Sequence, residues 1–169
     1  FERAIHSEET FERRGDDSIH NLLRQNIWLV NPNYQILQDD VTLKRIIYEN
    51  WKKDYIGEAA GTRPDFLCMT ELVPRDDMLV IIEIKRPSVR LEFDMQKQVA
   101  EYRQILKEHS QNKYQNFKCL LVGREMDPLL QDGTFMEGFE VKTYTDFIGE
   151  ARRFYQEYLQ LIKQNPQAI

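Results

Sequence analysis

The 169-residue chain carries 23 Lys and Arg against 28 Asp and Glu, a formal charge of −5 at pH 7, with 41% hydrophobic and 30% charged residues. At this length folding buries roughly 70% of the unfolded surface, so one core forms without disulfide staples, and the composition is that of an ordinary globular domain. The longest apolar run, Leu79-Val80-Ile81-Ile82, falls far short of the roughly 18 residues of a membrane span, which excludes a transmembrane helix and predicts a cytoplasmic protein.

From Ser18 to Leu29 apolar residues at Ile19, Leu22, Leu23, Ile27 and Trp28 form a helical stripe that Ser18 or Asp17 can cap. Asn31-Pro32-Asn33 stops it, and Tyr34 to Leu37 reads as a short strand. Asp39 or Asp40 is positioned to cap a second helix with Val41, Leu43, Ile46, Ile47 and Trp51 on one side, ended by Gly57 to Gly61. Asp65 to Thr70 and Met78 to Lys85 read as strands of a hairpin around the Pro74-Arg75-Asp76-Asp77 turn. Met95, Val99, Tyr102 and Leu106 mark an amphipathic helix, and Phe117 to Gly123 a buried strand. A weaker strand follows near Phe139-Glu140-Val141. A last helix, Tyr144 to Gln164, has Phe147, Ile148, Ala151, Phe154, Tyr155, Tyr158, Leu159 and Ile162 as its packing face. Helices, a hairpin, then helix, strand and helix predict an α/β sheet covered by helices. No repeat or linker divides the chain, so 1–169 is read as a single domain. Phe1 in place of Met predicts a piece of a longer protein, with 1–16 as a linker or upstream helix.

Cys68 and Cys119 sit in apolar runs with no C-x-x-C partner, which predicts buried thiols in a reducing compartment. His6, His20 and His109 are isolated in sequence and are not expected to be ligands or triad members. Ser88 lacks the setting of a hydrolase nucleophile, and no phosphate-cradling glycine loop occurs. Trp28 and Trp51 are expected in the core.

The chemistry concentrates elsewhere. Glu83 and Lys85 are two apart in a strand, so both project from one face while Ile82 and Ile84 face the core on the other. Asp65 opens the partner strand, and hairpin pairing puts its carboxylate beside Glu83. Two carboxylates at that range repel unless a cation lies between them, and a hard divalent ion such as Mg²⁺ takes oxygen ligands. Lys85 then stands beside the metal, placed to orient or deprotonate a water and to stabilise charge on a phosphoryl oxygen. The alternative is a cross-strand charge cluster on a solvated sheet face, worth about 1 kcal/mol at most.

Pro64-Asp65 followed by Glu83-Ile84-Lys85 resembles the PD-(D/E)xK, restriction-endonuclease-like nuclease superfamily. Gln98-Val99-Ala100-Glu101-Tyr102 on the next helix matches a Gln-x-x-x-Tyr pattern common there. Leu22-Leu23-Arg24-Gln25-Asn26-Ile27-Trp28-Leu29 resembles the entry helix of Shedu-type anti-phage nuclease domains, with Ile27 at the position where that family has Pro. The resemblance covers about residues 17 to 123. It implies a mixed central sheet flanked by helices and a Mg²⁺-dependent DNA endonuclease, with Mn²⁺ as a substitute ion. Asp65, Glu83 and the backbone carbonyl of Ile84 are the implied metal ligands, with Asp17, or Glu12 second, completing the set from the entry helix. Lys85 positions the water and Gln98 braces the site, with Tyr102 packed beneath; a structural role for Gln98 and Tyr102 is equally open. Arg63, Arg86 and Arg90 are candidates to hold nucleic-acid phosphate, or serve solubility alone.

RNA is an alternative substrate. A non-catalytic nucleic-acid-binding or oligomerisation module is the rival from another class. Homo-oligomerisation, through this domain or an upstream region, is expected as a means of restraint. The net charge is an average over unlike segments: Glu83 to Gly123 holds eight basic and five acidic residues, whereas Arg124 to Glu150 holds two basic and seven acidic. Phosphate is therefore expected along the Lys85 to Lys118 side, with the Arg124 to Glu150 segment facing away.

Overall fold

The computed structural model describes residues 18–70, 78–111, 113–131 and 137–164. The expectations for Glu12, Asp17, His6 and the Pro74 to Asp77 turn lie outside them. Among the described residues five α-helices and five β-strands follow in the order α1 (Ile19–Gln25), β1 (Tyr34–Asp39), α2 (Leu43–Trp51), β2 (Phe66–Thr70), β3 (Met78–Ile84), α3 (Phe93–His109), β4 (Asn116–Gly123), α4 (Pro128–Gln131), β5 (Phe139–Thr143) and α5 (Tyr144–Gln164).

Local chemistry accounts for most boundaries. Ser18 caps α1, its Oγ accepting from the Asn21 N–H at 3.1 Å. Asn26 closes the helix by donating Nδ2 to the Leu22 carbonyl at 3.0 Å. Ile27–Leu29 then forms a separate 3₁₀ turn instead of continuing α1. Thr42, not Asp39 or Asp40, caps α2. Asp39 is still in β1, and Asp40 adopts a left-handed backbone (φ 50°) from which its N–H reaches the Asp65 carbonyl at 3.1 Å. Lys52, also left-handed, ends α2.

The strands lie in the order β1-β2-β3-β4-β5. β1 and β2 and then β2 and β3 pair antiparallel, the latter with Phe66 opposite Ile82 and Leu67 opposite Ile81. β3 and β4 and then β4 and β5 pair parallel, so the sheet is mixed. α3 provides the crossover that a parallel β3/β4 pair requires. Leu79, Val80, Ile81 and Ile82 are all fully buried, a continuous apolar strand as expected where helices cover both faces.

The alternation sorts into two cores. Leu67, Leu79, Ile81, Cys119 and Leu121 pack with α2 and α3. Phe66, Cys68, Val80, Ile82, Leu120 and Val122 pack with Ile19 and Leu23 of α1 and Tyr144 and Phe147 of α5. Both cysteines are fully buried free thiols, as expected. Two sequence expectations need correction. Glu83 and Lys85 share a face as expected, but the core is not confined to the Ile82/Ile84 side, because their own face carries the α2/α3 core. The regular apolar face of α5 does not pack throughout: Phe147 is buried, but Phe154, Tyr155 and Leu159 are exposed. Trp28 is likewise 39% exposed and meets Tyr155 edge-on, with ring centroids 5.1 Å apart.

Candidate active site

The site lies where β2 begins and β3 ends. Extending the β2/β3 register by one pair from Phe66 and Ile82 brings Asp65 opposite Glu83, on the face with Leu67 and Ile81. Both carboxylates are buried, Asp65 5% and Glu83 6% exposed. Asp65 is anchored through Oδ2, which accepts the Ile84 N–H at 2.7 Å. Lys85 turns back along the strand and donates Nζ to Glu83 Oε1 at 2.8 Å. The same Nζ donates to Gln98 Oε1 at 3.1 Å, and Gln98 Nε2 donates to the Tyr102 hydroxyl at 2.7 Å. Gln98 and Tyr102 are one turn apart on α3, whose packing on the sheet aims both at the strand end.

Such a set is a poor source of stability. Desolvating a carboxylate–ammonium pair offsets most of its attraction, and a second buried carboxylate beside it adds repulsion. A buried acid–base cluster of this kind at a strand end is a functional-site candidate. The field of the cluster reaches Tyr102, whose phenol is held above its ordinary value of 10.0 by burial first, then by the charges of Glu83 and Asp65, against lowering by hydrogen bonds with Gln98 and Thr62.

Asp65, Glu83, Lys85 and Gln98 are thus brought together, with Tyr102 behind Gln98. Arg63 is not drawn in: it is half-exposed and faces Asp40 at 3.8 Å. Arg86 and Arg90 are exposed on the loop between β3 and α3. Lys118, expected on the phosphate side, lies on the opposite face and is bound by Glu140 at 2.5 Å. The Arg124 to Glu150 segment reaches the end of β3 from the other face of the sheet. Its Tyr144 donates a hydroxyl to the Lys85 carbonyl at 2.6 Å.

Three residues at the site went unread in the sequence. Tyr144 is 59 positions from Lys85, and no local pattern links them. His20, set aside as isolated, lies on Phe66 with its Nε2 3.2 Å from the Asp65 carbonyl. Thr62, whose hydroxyl donates to the Ala59 carbonyl at 2.7 Å, is near enough to Tyr102 to lower its phenol; only the tertiary fold brings it there.

The donor set is all oxygen: two buried carboxylates beside strand carbonyls. It fits Mg²⁺, which takes one or two carboxylates and leaves its other positions to water and phosphate, and it lacks the Cys and His ligands of a zinc centre. Among the described residues no group of three or more His, Cys, Asp and Glu is arranged to hold a metal.

Fold and site define an α/β protein with a mixed, helix-covered sheet ending in a buried carboxylate–lysine cluster. No protein-family profile matches the chain, and no curated protein does. Among solved structures it is similar to one described as a repair endonuclease from Pyrococcus abyssi, with 18% identity and a TM-score of 0.49 over 78% of this chain and 47% of that one. The chain therefore spans about half the length of that structure. No helix among the described residues is long and apolar enough to cross a membrane.

Proposed function

We propose that the chain is a restriction-endonuclease-like, PD-(D/E)xK nuclease domain that hydrolyses phosphodiester bonds of DNA with the help of Mg²⁺. The observation that carries this reading is Lys85 Nζ held between Glu83 Oε1 and Gln98 Oε1 beside a second buried carboxylate, Asp65. A solvated charge cluster would not be buried.

Asp65 and Glu83 would hold the ion. The Ile84 carbonyl would join them, because in an extended strand the N–H and C=O of one residue point to the same edge, and the Ile84 N–H points at Asp65. Bound there, Mg²⁺ supplies Lewis acidity toward a phosphoryl oxygen and an activated water. Two of the three Lys85 donors are engaged by Glu83 and Gln98. The third is available to orient a water for attack on phosphorus or to stabilise charge on a non-bridging oxygen. Water adds to phosphorus, the bond to the 3′ oxygen breaks, and the products are a 3′-hydroxyl and a 5′-phosphate. Gln98 keeps the ammonium from collapsing onto Glu83 alone, and Tyr102 fixes which way the amide faces. Arg86 and Arg90, exposed beside the site, would bind flanking phosphates.

Anti-phage defence is the biological setting that the Leu22 to Leu29 resemblance supports, with assembly as a homo-oligomer restraining cleavage. Plaque counts on a host expressing the parent or Lys85→Ala, and light scattering of the purified protein, examine these two points.

The reaction is tested with plasmid, single-stranded DNA and RNA, each with Mg²⁺ or Mn²⁺. Cleavage of DNA that disappears in Lys85→Ala supports the reading. Cleavage surviving that substitution sinks it, cleavage of RNA alone shifts the substrate, and metal-independent binding without cleavage points to a non-catalytic module.

A further inference from the structure

The chemistry at Asp65 and Lys85 lies just outside the strand ladder. β2 begins at Phe66 and β3 ends at Ile84, so each of these residues sits one position beyond its strand. Their backbones are held by other means. The Lys85 N–H still reaches the Val122 carbonyl at 2.7 Å, but its own carbonyl accepts the Tyr144 hydroxyl at 2.6 Å. The Asp65 carbonyl accepts the Asp40 N–H at 3.1 Å and faces His20 Nε2 at 3.2 Å. A carbonyl can only accept, so Nε2 carries the hydrogen. His20 is held flat on Phe66, ring centroids 4.4 Å apart and planes 12° from parallel.

Tyr144 and Phe66 belong to the core on the far face of the sheet, whereas the carboxylates and Lys85 Nζ are on the α3 face. Neither Tyr144 nor His20 can touch the reacting atoms. We infer that Tyr144 and His20 are positioning residues: from the opposite face they fix the peptide planes at Lys85 and Asp65, and so set where the ammonium and the carboxylate point. The inference rests on the nuclease reading. It also makes α1 and α5 mechanical parts of the site, since each carries one of the two anchors.

Tyr144→Phe and His20→Phe test it, because both keep a ring in place and remove only the donor; His20→Gln restores an N–H. Circular dichroism is expected to match the parent. Tyr144→Phe should lower kcat roughly two- to tenfold at unchanged KM, the range of one buried hydrogen bond. His20→Phe should weaken Mn²⁺ binding, followed by electron paramagnetic resonance, by a smaller factor because the Asp40 N–H remains, and His20→Gln should recover it. The amide resonances of Ile84 and Lys85 should move in both Phe variants without metal or substrate. Parental kcat, Mn²⁺ affinity and Ile84 and Lys85 shifts in both would overturn the inference, as would a rise in KM alone. Should the parent cleave nothing, the nuclease reading fails by itself, and the amide shifts still decide whether the anchors set the site. If a variant does not fold, the same shifts in Tyr144→Leu and His20→Leu, which also lack the donor, decide.

Discussion

At the scale of single residues, four outcomes follow from the burial of groups with chemistry. Lys85→Ala removes the cation from beside Glu83 and is expected to lower Mg²⁺-dependent cleavage by about 10²- to 10⁴-fold, measured as initial rates. Gln98→Ala leaves the Lys85 charge but frees its position, so a smaller loss, roughly tenfold, is expected in the same assay. The Tyr102 phenol is raised by burial and by two carboxylates. Its neutral form is therefore favoured by folding, a contribution fully present below the unfolded value near 10.0 and lost as pH rises through the higher folded value. Urea melts from pH 9 upward should show this alkaline loss, and Tyr102→Phe should flatten it. Cys68 and Cys119 are pushed up to about 12, chiefly by burial. A thiol held protonated is a poor nucleophile, so iodoacetamide should label neither until the protein unfolds. The burial of these thiols was legible in the sequence, because each sits in a continuous apolar run, Phe66-Leu67-Cys68-Met69 and Cys119-Leu120-Leu121-Val122. The anchoring of Lys85 by Tyr144 was not, since a hydrogen bond across 59 positions leaves no local trace.

At the scale of elements, helix ends are set by side chains that the sequence offers in excess. Asp39 and Asp40 were the expected caps for α2, but Thr42 holds the place because β1 extends through Asp39 and Asp40 turns left-handed to meet Asp65. Ser18→Ala removes the cap of the seven-residue α1 and is expected to cost about 1 kcal/mol, a fall in Tm of roughly 2–4 °C by calorimetry. If α1 carries an anchor of the site, kcat should fall with it. Gly138 precedes β5 with φ 79°, and a Cβ there would stand 2.6 Å from the Phe117 carbonyl. Backbone cannot yield as a side chain can, so Gly138→Ala should destabilise by about 1–3 kcal/mol, read from urea denaturation.

At the scale of the whole molecule, the charge of −5 is spread over surfaces that fold together. Lys118 and Lys142 are bound by Glu140, and Lys142 also by Glu150. Arg86 and Arg90 are exposed on the loop that follows Lys85. Replacing either with Ala should weaken DNA binding for every sequence alike, and reduce the slope of log K against log salt by about 0.9 if one phosphate contact is lost, as fluorescence anisotropy can measure. The sequence by itself determined the alternation that makes the strands, the helical stripes that cover them, and the placing of Asp65 and Glu83 on neighbouring strands with Lys85 on the same face. Those are properties of short segments, governed by periods of 2 and 3.6 residues. Only the tertiary structure decided that this face is buried, that the acidic segment reaches the site through Tyr144, and that His20 lies on Phe66. These depend on which elements become neighbours, and contacts between distant segments are selected by the packing of the whole chain rather than by any residue's local pattern.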